Sequence, residues 1–157
     1  MQTPSPIPLP QNATLPNVLI DAARAAQQRA YAPYSGFAVG AAVLDAQGRI
    51  HAGCNVENAA YPEGLCAEAA ALSAMVLAGA QYALALVLVA DTPPGAPWIS
   101  PCGGCRQKLA ELGGPELIVQ SARPDALGPR WTLAQLLPEH FALSAPPPVS
   151  PAPTPGD

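Results

Sequence analysis

The stretch Cys66-Ala-Glu-Ala-Ala-Ala-Leu-Ser-Ala-Met-Val-Leu-Ala-Gly79, followed by Tyr82-Ala-Leu-Ala-Leu-Val-Leu-Val-Ala90, decides the fold class. Its first part is rich in Ala, Leu and Met, holds a single carboxylate and stops at a glycine, so it predicts a helix over 66–78. Its second part is a continuous apolar run with alternating Leu and Val, which predicts a strand covered on both faces. A helix followed by such a strand belongs to a layered α/β protein.

Working outward, Asn17 to Ala30 reads as a helix capped by Asn17, with Val18, Ala22, Ala25, Ala26 and Arg29 as a weak apolar stripe. The Tyr31-Ala-Pro-Tyr-Ser-Gly36 stretch breaks it. Strands are then expected over 37–44 and 49–56, joined as a hairpin by Asp45-Ala-Gln-Gly48. Beyond the central strand, Pro93 to Pro101 is a loop. Cys102 to Leu112 is a helix ended by Gly113-Gly-Pro115, Glu116 to Gln120 a strand, and Thr132 to Leu137 a short helix. The order implies a three-layer α/β/α sandwich, with a mixed sheet of about five strands and helices on both faces.

The 157 residues suit one domain. We expect it over 15–143, between proline-rich tails over 1–14 and 144–157 that carry too few large apolar groups to offset chain ordering. Half the chain is apolar and only 11% is charged, a balance that suggests apolar surface covered by partner subunits. Seven Lys and Arg, spread thinly in a chain of net charge −4, do not form a nucleic-acid footprint. No apolar stretch is long enough to cross a membrane. The first sixteen residues lack the basic start of a signal peptide, so a cytoplasmic location is expected. In that reducing setting the four cysteines read as metal ligands or buried residues rather than disulfide partners.

The chemistry lies in Cys66-Ala67-Glu68 and Pro101-Cys102-Gly-Gly-Cys105, each where a loop enters a helix. Cys102 and Cys105, three apart at a helix start, share one face. The free amides and dipole of that helix end favour thiolate. Cys66, at a second helix start, completes three ligands, Cys66, Cys102 and Cys105, for a Zn²⁺ ion. Three ligands with one open position is the catalytic arrangement, whereas structural sites are usually closed by four. Glu68 lies two residues past a ligand, close enough to exchange protons with a bound water without ligating. The pattern Cys-x-Glu…Pro-Cys-x-x-Cys is that of zinc deaminases, with Cys in place of the first His. Cys54 falls in a strand and reads as buried rather than ligating. His51, on the hairpin, reads as a surface or packing residue.

Beyond these two motifs, Ala30-Tyr-Ala-Pro-Tyr-Ser-Gly-Phe-Ala-Val-Gly-Ala-Ala42, Gly53-Cys-Asn-Val-Glu-Asn-Ala-Ala-Tyr61, the extension Arg106-Gln107 and Leu136-Leu-Pro-x-x-Phe141 occur in order along the chain. Together they make it similar to the small homotetrameric cytidine deaminases over nearly all of 17–141. The resemblance implies hydrolysis of cytidine and deoxycytidine to uridine and deoxyuridine, with ammonia released, as in pyrimidine salvage. It implies attack by zinc-bound hydroxide on C4, with Glu68 as the catalytic proton shuttle and one zinc per subunit. Asn55 and Glu57 would bond the ribose 3′-hydroxyl, and Glu68 with the Ala67 amide would read the N3 and O2 edge. Phe37 would pack against base or sugar. Ala59 and Tyr61 would line an adjacent subunit's site, and Phe141 would close a pocket in a homotetramer with shared active sites. Tyr34 would serve the subunit interface.

One departure stands out. Three-cysteine relatives carry Arg directly after Cys-Ala-Glu, where this chain has Ala69. Three thiolates leave zinc with excess negative charge, so Ala69 leads us to expect a more electron-rich metal. Arg106 does not replace that residue, because the same relatives carry an Arg there too. Two other functions compete: a deaminase of a cytosine nucleoside antibiotic of the blasticidin type, and a non-catalytic zinc or thiol redox module. The Asn55 and Glu57 pair favours a nucleoside over the first, and Glu68 with that pair is left unexplained by the second.

Overall fold

The structure, a computed structural model, describes residues 9, 10 and 12–143. Most of the expected tails, residues 1–8, 11 and 144–157, lie outside the described residues. Helix α1 spans Asn17–Gln27, strand β1 Val39–Asp45 and strand β2 Ile50–Cys54. Helix α2 spans Ala67–Leu77, β3 Ala83–Ala90 and α3 Gly103–Gly113. Strand β4 (Ile118–Ala122), strand β5 (Leu127–Thr132) and the single-turn α4 (Leu133–Leu136) follow.

The five strands form one sheet in the order β2-β1-β3-β4-β5. β1 is antiparallel to β2 and to β3, β3 is parallel to β4, and β5 returns antiparallel, so the sheet is mixed. β3 lies at the centre, and its side chains alternate between two separate cores. Leu86 and Leu88 join Leu72, Met75, Leu109 and Val119 under α2 and α3. Ala85, Val87 and Val89 join Leu19, Ile20 and Ala23 under α1. Helices therefore cover both faces, as the alternation implied. Each fully buried Leu or Val of β3 contributes on the order of 2 kcal/mol to holding the layers together.

Two glycines let helix backbone rest directly on the sheet. A Cβ at Gly40 would overlap the Ala23 carbonyl of α1, and one at Gly53 would overlap the Ala71 amide of α2. The second contact fixes the height of α2, and with it the position of Cys66 and Glu68.

Three sequence expectations change. Asn17 is not the cap of α1: Pro16 occupies that position with φ −58° and accepts a 2.9 Å hydrogen bond from the Leu19 amide, while Asn17 is already helical. The helix also ends at Gln27, because the Arg29 and Ala30 amides bond the carbonyls three residues back. The fifth strand of the expected sheet is β5, a segment for which the sequence pattern gives no strand signal. Its Leu127-Gly-Pro-Arg-Trp-Thr132 has neither clear alternation nor an apolar run, and Pro129 is tolerated because β5 pairs on one side only. His51 packs inward, with Nε2 2.8 Å from the fully buried Asp45 carboxylate.

Candidate active site

The sequence brings the two cysteine motifs to one place by starting two neighbouring helices at the same end of the sheet. Cys66 is the residue before α2, Cys102 the residue before α3, and Cys105 lies in the first turn of α3. This end is where β3 leaves the sheet at its carboxyl end, the usual ligand-binding side of an α/β sheet. The Sγ atoms of Cys66, Cys102 and Cys105 all lie within 4.8 Å of one another, and those of Cys66 and Cys102 are 3.9 Å apart. Thiolates about 2.3 Å from a tetrahedral ion would be roughly 3.8 Å apart, so the donor set fits zinc. Among the described residues this is the only grouping of three such donors, and Cys54 stays outside it with its thiol toward the Arg29 carbonyl at 3.6 Å.

The environment differs from one thiol to the next. Burial pushes Cys66 up, as do the neighbouring Glu68 carboxylate and Cys102 sulfur. Burial, then Glu68 and the other sulfurs, push the buried Cys105 up much further. At Cys102 burial acts in the same direction, but the Cys105 backbone N–H and the two neighbouring thiols outweigh it and lower the net value. A bound cation would favour the ionised form at all three.

Glu68, in the first turn of α2, is 6% exposed. Burial raises its carboxyl above the ordinary range, while its own backbone N–H, the Cys105 thiol and the Lys108 charge pull the other way. A carboxyl shifted toward neutrality can both accept and return a proton.

An open cleft of about 470 Å³ leads to this point, a size that suits a small molecule. Of the residues read from the sequence, Phe37, Asn55, Glu57, Tyr61, Cys66, Ala67, Glu68 and Cys102 line it together. Ala59 and Phe141 do not line it, and Cys105 is buried behind it. Asn55 Oδ1 accepts from the Val39 amide at 2.8 Å and its Nδ2 donates to the Phe37 carbonyl at 2.9 Å, so this side chain shapes the wall from which Phe37 projects. Glu57 Oε2 accepts from the backbone amides of Tyr34 (2.8 Å) and Ser35 (3.2 Å), and Oε1 accepts from the Ser35 hydroxyl. These bonds hold its carboxyl below the ordinary range despite an opposing effect of burial. Tyr34 meets Tyr61 edge-on, centroids 6.4 Å apart.

Sequence reasoning missed Ser35, Ser100 and Ile99. Ser35 orients Glu57, and Ile99 and Ser100 add to the cleft wall. Their signal was proximity alone: Ser35 stands two residues before Phe37, and Ser100 two before Cys102. The loop carrying Ser100 is pinned from both sides. Arg106 donates to the Pro101 carbonyl (2.8 Å), the Ser100 hydroxyl (3.1 Å) and the Leu136 carbonyl (2.8 Å). Arg123 donates to Thr92 Oγ1 and the Ala96 carbonyl, both at 2.8 Å, with its guanidinium 4.3 Å from the Trp98 ring centroid.

The family model for the cytidine and deoxycytidylate deaminase zinc-binding region matches residues 15–121. A curated cytidine deaminase of Mycobacterium tuberculosis is 45% identical over 128 residues, 81% of this chain and 90% of that protein. One of Sporosarcina psychrophila is 42% identical over 124 residues, 79% and 89% of the two chains. The crystal structure of cytidine deaminase from Burkholderia pseudomallei superposes with a TM-score of 0.75 at 41% identity, covering 82% of this chain and all of that one.

Proposed function

Because the chain belongs to the cytidine and deoxycytidylate deaminase zinc-binding family, we propose that it hydrolyses cytidine and deoxycytidine to uridine and deoxyuridine with release of ammonia, a step of pyrimidine salvage. The observation that carries the reading is the convergence of three thiols and a buried glutamate at the base of a cleft walled by Phe37, Asn55 and Glu57. When bound by Cys66, Cys102 and Cys105, zinc supplies a Lewis acid that makes a water nucleophilic near neutral pH.

The remaining work falls to the chain. Glu68 takes the proton of the attacking water, delivers it to N3 as C4 becomes tetrahedral, and carries the second water proton to the amine that leaves as ammonia. One water and one cytidine are consumed, and one uridine and one ammonia result. The Ala67 amide, among the unpaired N–H groups at the start of α2, donates to the O2 edge of the base. Phe37 packs against the base or sugar. Glu57, already oriented by Ser35, keeps lone pairs for the ribose 3′-hydroxyl, and Asn55 has an N–H and a lone pair left for the same group.

The assembly is a homotetramer, in which Ala59, Tyr61 and Phe141 reach a neighbouring subunit's cleft. Its support is the exposure of Tyr61 (79%) and Phe141 (69%), with Phe141 lying off the cleft of its own chain. The protein works in the cytoplasm, where thiol ligands stay reduced; no described helix is long and apolar enough to cross a membrane.

The experiment is incubation with cytidine, deoxycytidine and a blasticidin-type antibiotic, following loss of absorbance at the cytosine band. Turnover of both nucleosides in preference to the antibiotic is expected. Turnover of the antibiotic alone would replace the nucleoside reading.

A further inference from the structure

The part of the cleft wall formed by Ile99 and Ser100 belongs to the connection from Asp91 to Pro101, which holds no helix and no strand. Such a segment keeps a fixed position only where the fold ties it down. Its end is tied by Arg106, through the Ser100 hydroxyl and the Pro101 carbonyl. Its middle is tied through Trp98. The indole lies against two groups of the neighbouring strands: the Arg123 guanidinium just past β4, 4.3 Å from the ring centroid, and Gly128 of β5. A Cβ at Gly128 would overlap the Trp98 ring, so the indole rests directly on bare backbone. The same guanidinium donates to Thr92 Oγ1 and the Ala96 carbonyl, so one cation both seats the indole and holds the start of the connection.

Neighbouring side chains then serve opposite sides. Trp98 turns to Arg123 and Gly128 and joins neither core. Ile99 packs against the core under α2 and α3 and lines the cleft with Phe37, Val39 and Leu88. That apolar side suits the face of a pyrimidine ring. We propose that Trp98, seated on Gly128 by Arg123, is a positioning residue that sets how far the Ile99 and Ser100 wall stands into the base pocket. The indole touches no substrate and acts through the residue next to it. Its contribution falls on binding, because a wall that meets the base equally before and during attack on C4 changes KM rather than kcat. A cation over a half-buried indole adds little to the stability of the whole fold, so the local effect separates from unfolding.

The inference rests on the reading that the cleft takes cytidine, and its test tells the two apart. Steady-state turnover of cytidine and competitive inhibition by uridine are measured for wild type, Trp98→Ala, Trp98→Phe, Arg123→Met and Gly128→Ala, with the zinc content and Tm of each. Trp98→Ala is expected to raise KM roughly 10-fold with kcat little changed, and to raise the uridine inhibition constant by the same factor. Trp98→Phe keeps a ring against the guanidinium and should recover most of the loss. Gly128→Ala removes no contact yet displaces the indole, so it should raise KM as well. Arg123→Met should raise KM severalfold, and combining it with Trp98→Ala should add nothing. A merely structural role would lower the active fraction, and so kcat, while leaving KM in place. An unchanged KM in Trp98→Ala or Gly128→Ala, a Phe variant as impaired as the Ala one, or additive effects of Trp98→Ala and Arg123→Met overturns the inference. A Trp98→Ala chain that loses its zinc or its fold overturns it also, by making Trp98 a folding residue. A wild-type chain that converts no cytidine overturns the deaminase reading, and this inference with it.

Discussion

The Gln107 side chain and the Phe141 backbone bond one another in both directions, Nε2 to the Phe141 carbonyl at 2.8 Å and the Phe141 N–H to Oε1 at 3.1 Å. The pair fastens the segment after α4 to α3 and leaves the Phe141 ring facing outward. If that ring closes a neighbour's cleft, Gln107→Ala should raise KM for cytidine severalfold with zinc content unchanged. Phe141→Ala should do the same, and the double variant should be no worse than either single one. Additive effects in a steady-state double-mutant cycle would separate the two residues.

Ser35 holds Glu57 through its hydroxyl and its amide. Ser35→Ala removes the hydroxyl bond and leaves the carboxylate oriented by amides alone. A rise in KM for cytidine with kcat little changed is expected, and a larger one for cytidine than for free cytosine analogues that lack the sugar. Equal effects on both would place Ser35 away from ribose recognition.

Gly53 sets the height of α2 against the sheet, since a Cβ there would meet the Ala71 amide. Gly53→Ala should cost on the order of 2 kcal/mol in urea unfolding and weaken zinc retention, because Cys66 moves with the helix. A similar insertion at Gly48, which has open space around it but φ +80°, should cost stability without touching the metal.

Asp45 is fully buried and bonded by His51, by Arg49 Nε at 2.8 Å and by two backbone amides. Burial raises its carboxyl, but these donors outweigh it and hold the net value below the ordinary range. A carboxyl depressed in the folded state contributes stability above its unfolded pKa and loses it as pH falls through the folded one. Asp45→Asn should therefore cost about 2 kcal/mol near neutral pH, and the gap in Tm should close below about pH 4. A gap that stays constant into acid would mean that shape, not charge, matters there.

How much of this was legible in the sequence follows from its chemistry. The zinc motif was readable because thiols at i and i+3 and a glutamate two residues past a third thiol have few other uses. The layers were readable because the runs on α2 and β3 are long and almost continuously apolar, the first of them stopped by Gly79. Strand β5 was not, since an edge strand needs no apolar run and tolerates Pro129. The Pro16 cap was missed because a proline can accept through its carbonyl as Asn17 could through its side chain. Ser35 and Arg123 act through contacts across the fold, which no local pattern encodes.

The central claim is that Glu68 moves the protons at a centre held by Cys66, Cys102 and Cys105. The most direct test measures uridine and ammonia formed from cytidine by wild type and Glu68→Gln, with zinc content determined on the same samples. The account predicts equal amounts of the two products from wild type, and a Gln variant that keeps one zinc per chain while losing at least ~100-fold in kcat. A zinc-loaded Gln variant that turns over cytidine at the wild-type rate would contradict it.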